Sequence, residues 1–300
     1  MSLRVRRLLL VCSILALPGV VAGFAATGNY LGQEPPGLTP VPFAPSLLTA
    51  FSYGGTFNPD LTEFWFTEQA IKERDSHIVG YALVDATWIR LATVPFKPTG
   101  TAIEPHIAPS GDRLYFTAGS GAAWKAYVSE LTPLGWSLAT PLPAPINVVD
   151  YAPMYFSSTR DGTLYWTLLT DFEATIVRTP RTEPGYGSVE SMASDGVPWV
   201  GAHPFVAPDE SFVIFDIRPG GNPRWPSDLV VSFRRAEGTW TPPQPIAAVN
   251  GYATDEMCAS VSPDGKYLFF ARDLHIWWVS VAVLDPMRPQ PEGRPVAPTP

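Results

Sequence analysis

Hydrophobic positions in this chain recur in a fixed setting instead of along one continuous helix or strand period. An eleven-residue phrase, with a polar turn at its centre and an apolar triplet at its end, occurs five times. It reads TFNPDLTEFWF at Thr56–Phe66, HIAPSGDRLYF at His106–Phe116, FSSTRDGTLYW at Phe156–Trp166, FVAPDESFVIF at Phe205–Phe215 and SVSPDGKYLFF at Ser260–Phe270. Successive starts lie 50, 50, 49 and 55 residues apart. Turn chemistry in register at a period near fifty marks a β-propeller or a related array, in which each repeat is a small sheet that buries its faces only against its neighbours.

Each repeat predicts four strands. Apolar residues before the turn (Phe57, Ile107, Val206, Val261) belong to a first strand. The reversal follows at Pro59-Asp60, Pro109-Ser110-Gly111, Asp161-Gly162, Pro208-Asp209 and Pro263-Asp264-Gly265, where proline presets φ and Asp or Gly tolerates the tight turn. The second strand carries the triplets Phe64-Trp65-Phe66, Leu114-Tyr115-Phe116, Leu164-Tyr165-Trp166, Val213-Ile214-Phe215 and Leu268-Phe269-Phe270. Apolar on both faces, these fit a strand packed between two neighbouring sheets. Third strands are expected at His77–Leu83, Trp124–Ser129, Ala174–Arg178, Asp228–Phe233 and His275–Val281. Fourth strands begin near Trp88, Trp136, Tyr186 and Trp240 and often lead to prolines, which an edge strand tolerates.

The fifth repeat lacks a fourth strand, because beyond Val283 the chain becomes a proline-rich tail. Pro42-Phe43-Ala44-Pro45 resembles Gln244-Pro245-Ile246-Ala247, so Thr39–Leu48 is expected to complete the last blade and remove an open sheet edge. The expectation is an all-β chain: a single propeller of four-stranded blades, five in number, closed by an N-terminal strand. Its organisation reads 1–25 signal peptide, 26–37 linker, 38–285 propeller and 286–300 disordered tail.

Composition agrees. With 46% hydrophobic and 12% aromatic residues among 300, a large core is affordable, and 34 prolines and 24 glycines demand many turns. Arg4, Arg6 and Arg7 precede an apolar run at Leu8–Leu17 and small residues at Ala22, Gly23, Ala25 and Ala26, the layout of a secretory leader. The alternative is an N-terminal membrane anchor. Removing the leader leaves 17 basic against 28 acidic residues, without the cation cluster that nucleic-acid binding requires. One cysteine, Cys258, then remains; no intramolecular disulfide can form, and it reads as a small buried hydrophobe.

The stretches Asp228–Arg234, Gly238–Pro242, Val249-Asn250-Gly251 and Ser262–Phe270 resemble the WD40-like β-propeller repeat of TolB-type bacterial proteins. Tyr30-Leu31-Gly32-Gln33 with Pro35-Pro36-Gly37 resembles the segment next to the leader in exported members. The resemblance covers essentially the whole mature chain and implies a propeller in the bacterial envelope or outside the cell, but no single activity. TolB itself resembles a six-bladed ring with an additional N-terminal domain, for which this chain has no room.

No G-x-S-x-G elbow, H-E-x-x-H helix, CxxC pair, phosphate loop or EF-hand pattern is present. Chemistry is therefore sought where first strands converge on the channel. Two residues before each phrase stand Gly54, Glu104, Met154, His203 and Cys258, with Asp150 and Asp255-Glu256 slightly earlier. Glu104, Asp150, His203 and Glu256 are candidates for a ring at the channel mouth that binds a divalent cation, a cationic peptide or a sugar; the alternative is that they cap strand ends and bond to channel water. No motif implies another cofactor. The long fourth-repeat loop offers a second candidate surface in Arg218, Arg224 and Trp225. Two functions remain open: a non-enzymatic exported propeller recognising a protein, peptide or glycan, and a carbohydrate-active hydrolase or lyase using the channel acids with His203.

Overall fold

The computed structural model describes residues 26–69, 76–91, 100–119, 123–148, 151–170, 173–221 and 226–289. They form five antiparallel blades around a common axis. Blade 1 comprises Phe51–Phe57, Glu63–Gln69, Ser76–Val84 and Thr87–Arg90. Blades 2 to 4 follow the same order from first strands Thr101–Ile107, Ala152–Ser158 and Ala202–Val206. Blade 5 contains Glu256–Val261, Tyr267–Arg272 and His275–Ser280, and its fourth strand is Val41–Pro42, paired with Trp278 and Trp277. The expected closure is thus present, and the first strand of blade 5 packs against that of blade 1.

The second-strand triplets explain why the ring coheres. Phe64 and Phe66 face the core between blades 5 and 1, while Trp65 faces the core between blades 1 and 2. Leu114 and Phe116 face back toward blade 1, and Tyr115 faces blade 3. The same alternation places Leu164/Trp166 against Tyr165, Val213/Phe215 against Ile214, and Leu268/Phe270 against Phe269. Successive side chains of a strand point to opposite faces, so one triplet supplies apolar surface to two interfaces. Gly80, paired with Trp65, is required by this packing: a Cβ there would meet the indole at 2.4 Å.

Residues 26–37, expected as a linker, are a built part of the molecule. Ala26–Thr27 adds a fifth strand to blade 1 beside Trp88, whose Nε1 donates to the Gly28 carbonyl at 2.7 Å. Tyr30 and Leu31 are buried in the closing core with Phe43, Phe57, Phe269 and Trp278. Apolar Tyr30-Leu31 has this core to enter, which is why the segment does not run free. The leader residues 1–25 lie outside the described residues, as do 290–300 of the tail; Pro286 and Met287 belong to a 3-10 turn, Val281–Met287. Among the described residues no helix is long and apolar enough to cross a membrane.

Candidate functional site

Each first strand carries a β-bulge where it passes the axis, between Tyr53/Thr56, Ile103/His106, Met154/Phe156, Ala202/Phe205 and Met257/Ser260. One residue per bulge adopts a left-handed backbone: Gly54 (φ 60°), Glu104 (59°), Tyr155 (47°), His203 (52°) and Cys258 (54°). Four of the five carry a Cβ and so bear strain of about 1–3 kcal/mol each. Bulges re-aim side chains. Here they bring one position of every blade to the axis.

The sequence register places Met154 at that position in blade 3; the structure places Tyr155 there. Blade 3 pairs Ser158 with Leu164, whereas blade 1 pairs Phe57 with Phe64 and blade 2 pairs Ile107 with Leu114. The proline-free turn of blade 3, Thr159–Thr163, is therefore one residue shorter, and every residue preceding it moves up by one.

Glu104 and His203 meet on the axis, with Nε2 of His203 3.6 Å from Oε1 of Glu104. Nδ1 of His203 lies 2.6 Å from Oδ1 of Asp216. Cys258 completes the group: one donor atom each from Glu104, His203 and Cys258 lie within 4.8 Å of one another. Tyr155 walls the imidazole edge-on at 5.1 Å and anchors its hydroxyl by donating to the Ala259 carbonyl at 2.8 Å. Glu104 is 4% exposed, and its Oε2 has no hydrogen-bond partner among the described residues.

Burial alone would depress the His203 imidazole, but the charge and hydrogen bond of Asp216 prevail and hold it well above the ordinary histidine range. Burial pushes the Cys258 thiol up to about 12, against the lowering influence of His203.

Asp216 is absent from the sequence candidates. It follows the fourth phrase immediately, where the other repeats have Thr67, Thr117, Thr167 and Ala271. Thr67 and Thr167 accept the bulge N–H of the next blade, from Glu104 at 2.7 Å and His203 at 2.9 Å. Asp216 takes the same place toward Cys258 N, at 3.4 Å, and adds a carboxylate. The signal was an acid in a column otherwise occupied by threonine or alanine.

Glu256 does not join the axial group. Its carboxylate is fully buried and is held by Arg272 Nε at 2.7 Å, Thr254 Oγ1 at 2.5 Å and Gly251 N at 3.3 Å. Asp150, Arg224 and Trp225 lie outside the described residues, while Arg218 is exposed at the start of its loop. His106 instead clasps blades 2 and 3: its Nε2 accepts from Ser158 N at 3.0 Å, and burial drives its pKa down to about 3. Cys258 is buried as expected, packed with Tyr155 and Ala271, and it also stands beside the His203 imidazole.

No family model matches the chain, and no curated protein sequence is significantly similar to it. Among solved structures, TolB from Acinetobacter baumannii is similar at 16% identity and a TM-score of 0.46, over 76% of this chain and 53% of that one. The chain thus spans about half the length of that protein. An endo-arabinase from Bacteroides thetaiotaomicron is similar at 14% identity and a TM-score of 0.48, over 83% of this chain and 98% of its own. A gluconolactonase from Xanthomonas campestris is similar at 12% identity and 0.47, over 76% and 71% respectively.

Proposed function

We propose that the protein is an exported, non-enzymatic β-propeller that recognises a protein, peptide or glycan of the bacterial envelope through one end of the ring. The observation behind this reading is Tyr252, fully exposed in the connection from blade 4 to blade 5. The loop beginning at Arg218 emerges at the same end, and the two connections touch where Glu256 N donates to Ser227 O at 2.9 Å and Ser227 N to Asp255 Oδ1 at 2.7 Å. An exposed tyrosine beside an arginine-bearing loop is the chemistry that anchors interfaces. The basic-then-apolar N-terminal segment supports export.

The rival reading needs two carboxyls facing each other across an open cleft, roughly 5–10 Å apart. Of the acids the sequence nominated and the structure describes, Glu104 is 4% exposed and Glu256 is closed into its pair with Arg272. Neither is presented to a polysaccharide chain. The test is a binding screen of the purified chain against envelope proteins, peptides and glycans, repeated with Tyr252→Ala and Arg218→Glu. Each variant is expected to weaken the detected complex by about tenfold or more, and Tyr252→Ala, at a fully exposed side chain, to leave the melting temperature unchanged. Turnover of a polysaccharide or lactone that disappears in Glu104→Gln would overturn the proposal.

A further inference from the structure

We propose that Glu104, His203 and Cys258 form a binding site for a zinc-like divalent cation on the propeller axis, with Asp216 as the residue that orients the imidazole. This goes beyond recognition at the ring's end and does not depend on it.

Four observations carry the assignment. The three donors come from three different blades, and their ligand atoms lie within 4.8 Å of one another. All three residues sit at left-handed bulge positions that aim their side chains at the axis. Oε2 of Glu104, on a side chain 3% exposed, has no partner among the described residues. A buried carboxylate oxygen left in this condition is costly unless something fills the space before it. Finally, the imidazole is arranged as metal-bound histidines are: Nδ1 engages a carboxylate at 2.6 Å, leaving Nε2 directed at the other donors.

The chemistry of the set selects the ion. In tetrahedral zinc sites nitrogen and oxygen donors lie at about 2.0–2.1 Å and sulfur at about 2.3 Å, so donor atoms stand roughly 3.3–3.8 Å apart. Nε2 of His203 and Oε1 of Glu104 are 3.6 Å apart. One thiolate, one imidazole and one carboxylate suit a borderline-soft ion; calcium and magnesium demand a cage of oxygens. Ligation requires a thiolate and a neutral imidazole nitrogen, so metal binding is coupled to proton release. The His203 side chain is 21% exposed, which gives the ion a path along the channel.

Hydrogen bonding among these groups without a metal accounts for His203 and its contact with Cys258 but leaves Oε2 of Glu104 without a partner among the described residues. The experiment uses the full chain in a Cys12→Ser background, so that Cys258 is the only thiol. After chelation and dialysis, Zn²⁺ and Co²⁺ are titrated by calorimetry and absorption. One equivalent of each is expected to bind, with a near-ultraviolet thiolate-to-cobalt band and a raised melting temperature. Cys258→Ser should abolish that band, and His203→Gln and Glu104→Gln should weaken Zn²⁺ binding by about 100-fold or more. Asp216→Asn should weaken it by about 10–100-fold without removing the band. The wild-type spectrum decides even where a variant fails to fold. Absence of the thiolate band at one equivalent of Co²⁺, or equal competition by Ca²⁺, overturns the proposal.

Discussion

The core that closes the ring contains a side chain that can be removed cleanly. Phe43 follows the closing strand Val41–Pro42 and is 1% exposed. Its ring centroid lies 5.0 Å from Phe269, 5.1 Å from Trp278, 5.4 Å from Phe64 and 6.2 Å from Phe57, so it joins blade 5 to blade 1. Phe43→Ala deletes a buried aromatic ring from a rigid surround, which costs about 3–5 kcal/mol in transfer and cavity terms. The partners are themselves aromatic and cannot collapse into the space, so the upper half of that range is expected. At roughly 2–3 °C per kcal/mol for a domain of this size, the melting temperature falls by about 8–15 °C. Urea unfolding followed by tryptophan fluorescence measures the loss directly. Leu38→Ala, at a residue 63% exposed just before the strand, is the control and should change stability by less than about 0.5 kcal/mol. A Phe43→Ala cost below about 1 kcal/mol, or an equal cost in the control, would refute closure through this segment.

Further outcomes follow from single groups. Asn250 accepts from Leu229 N at 2.8 Å and donates to Leu229 O at 2.9 Å, fastening the connection between blades 4 and 5, so Asn250→Ala should cost about 1–3 kcal/mol in urea unfolding. His106 titrates near 3 when folded and about 6.5 when unfolded; the unfolded chain binds more protons in between, so stability falls as pH drops through that window. Melting curves of His106→Gln against pH should lack its share of this acid limb. His203 behaves oppositely: its folded pKa is raised, so its contribution is complete below about 6.5 and is lost as pH rises through the folded value. With a chelator present, His203→Gln should flatten that alkaline decline, and an unaltered slope would contradict the Asp216 pairing.

The chain order itself determined the blade count, the strand order and the closing segment. Pro, Asp and Gly enforce turns locally, and an apolar triplet after each turn has no stable setting except between two sheets, so five phrases specify five blades. The resemblance of Pro42-Phe43 to Gln244-Pro245 was enough to locate the missing strand, since both occupy an outer edge beside a third strand. Glu104 and His203 were also legible, as polar residues in register before the phrase. What the tertiary structure alone decided is which of these residues meet. Glu256 stands two residues from Cys258 but pairs with Arg272; Asp216 stands in a different strand and reaches His203. A turn one residue shorter in blade 3 exchanged Met154 for Tyr155 on the axis. The physical reason is that turns and alternation are properties of neighbours in the chain, whereas convergence on the axis depends on five bulges and a closed ring at once.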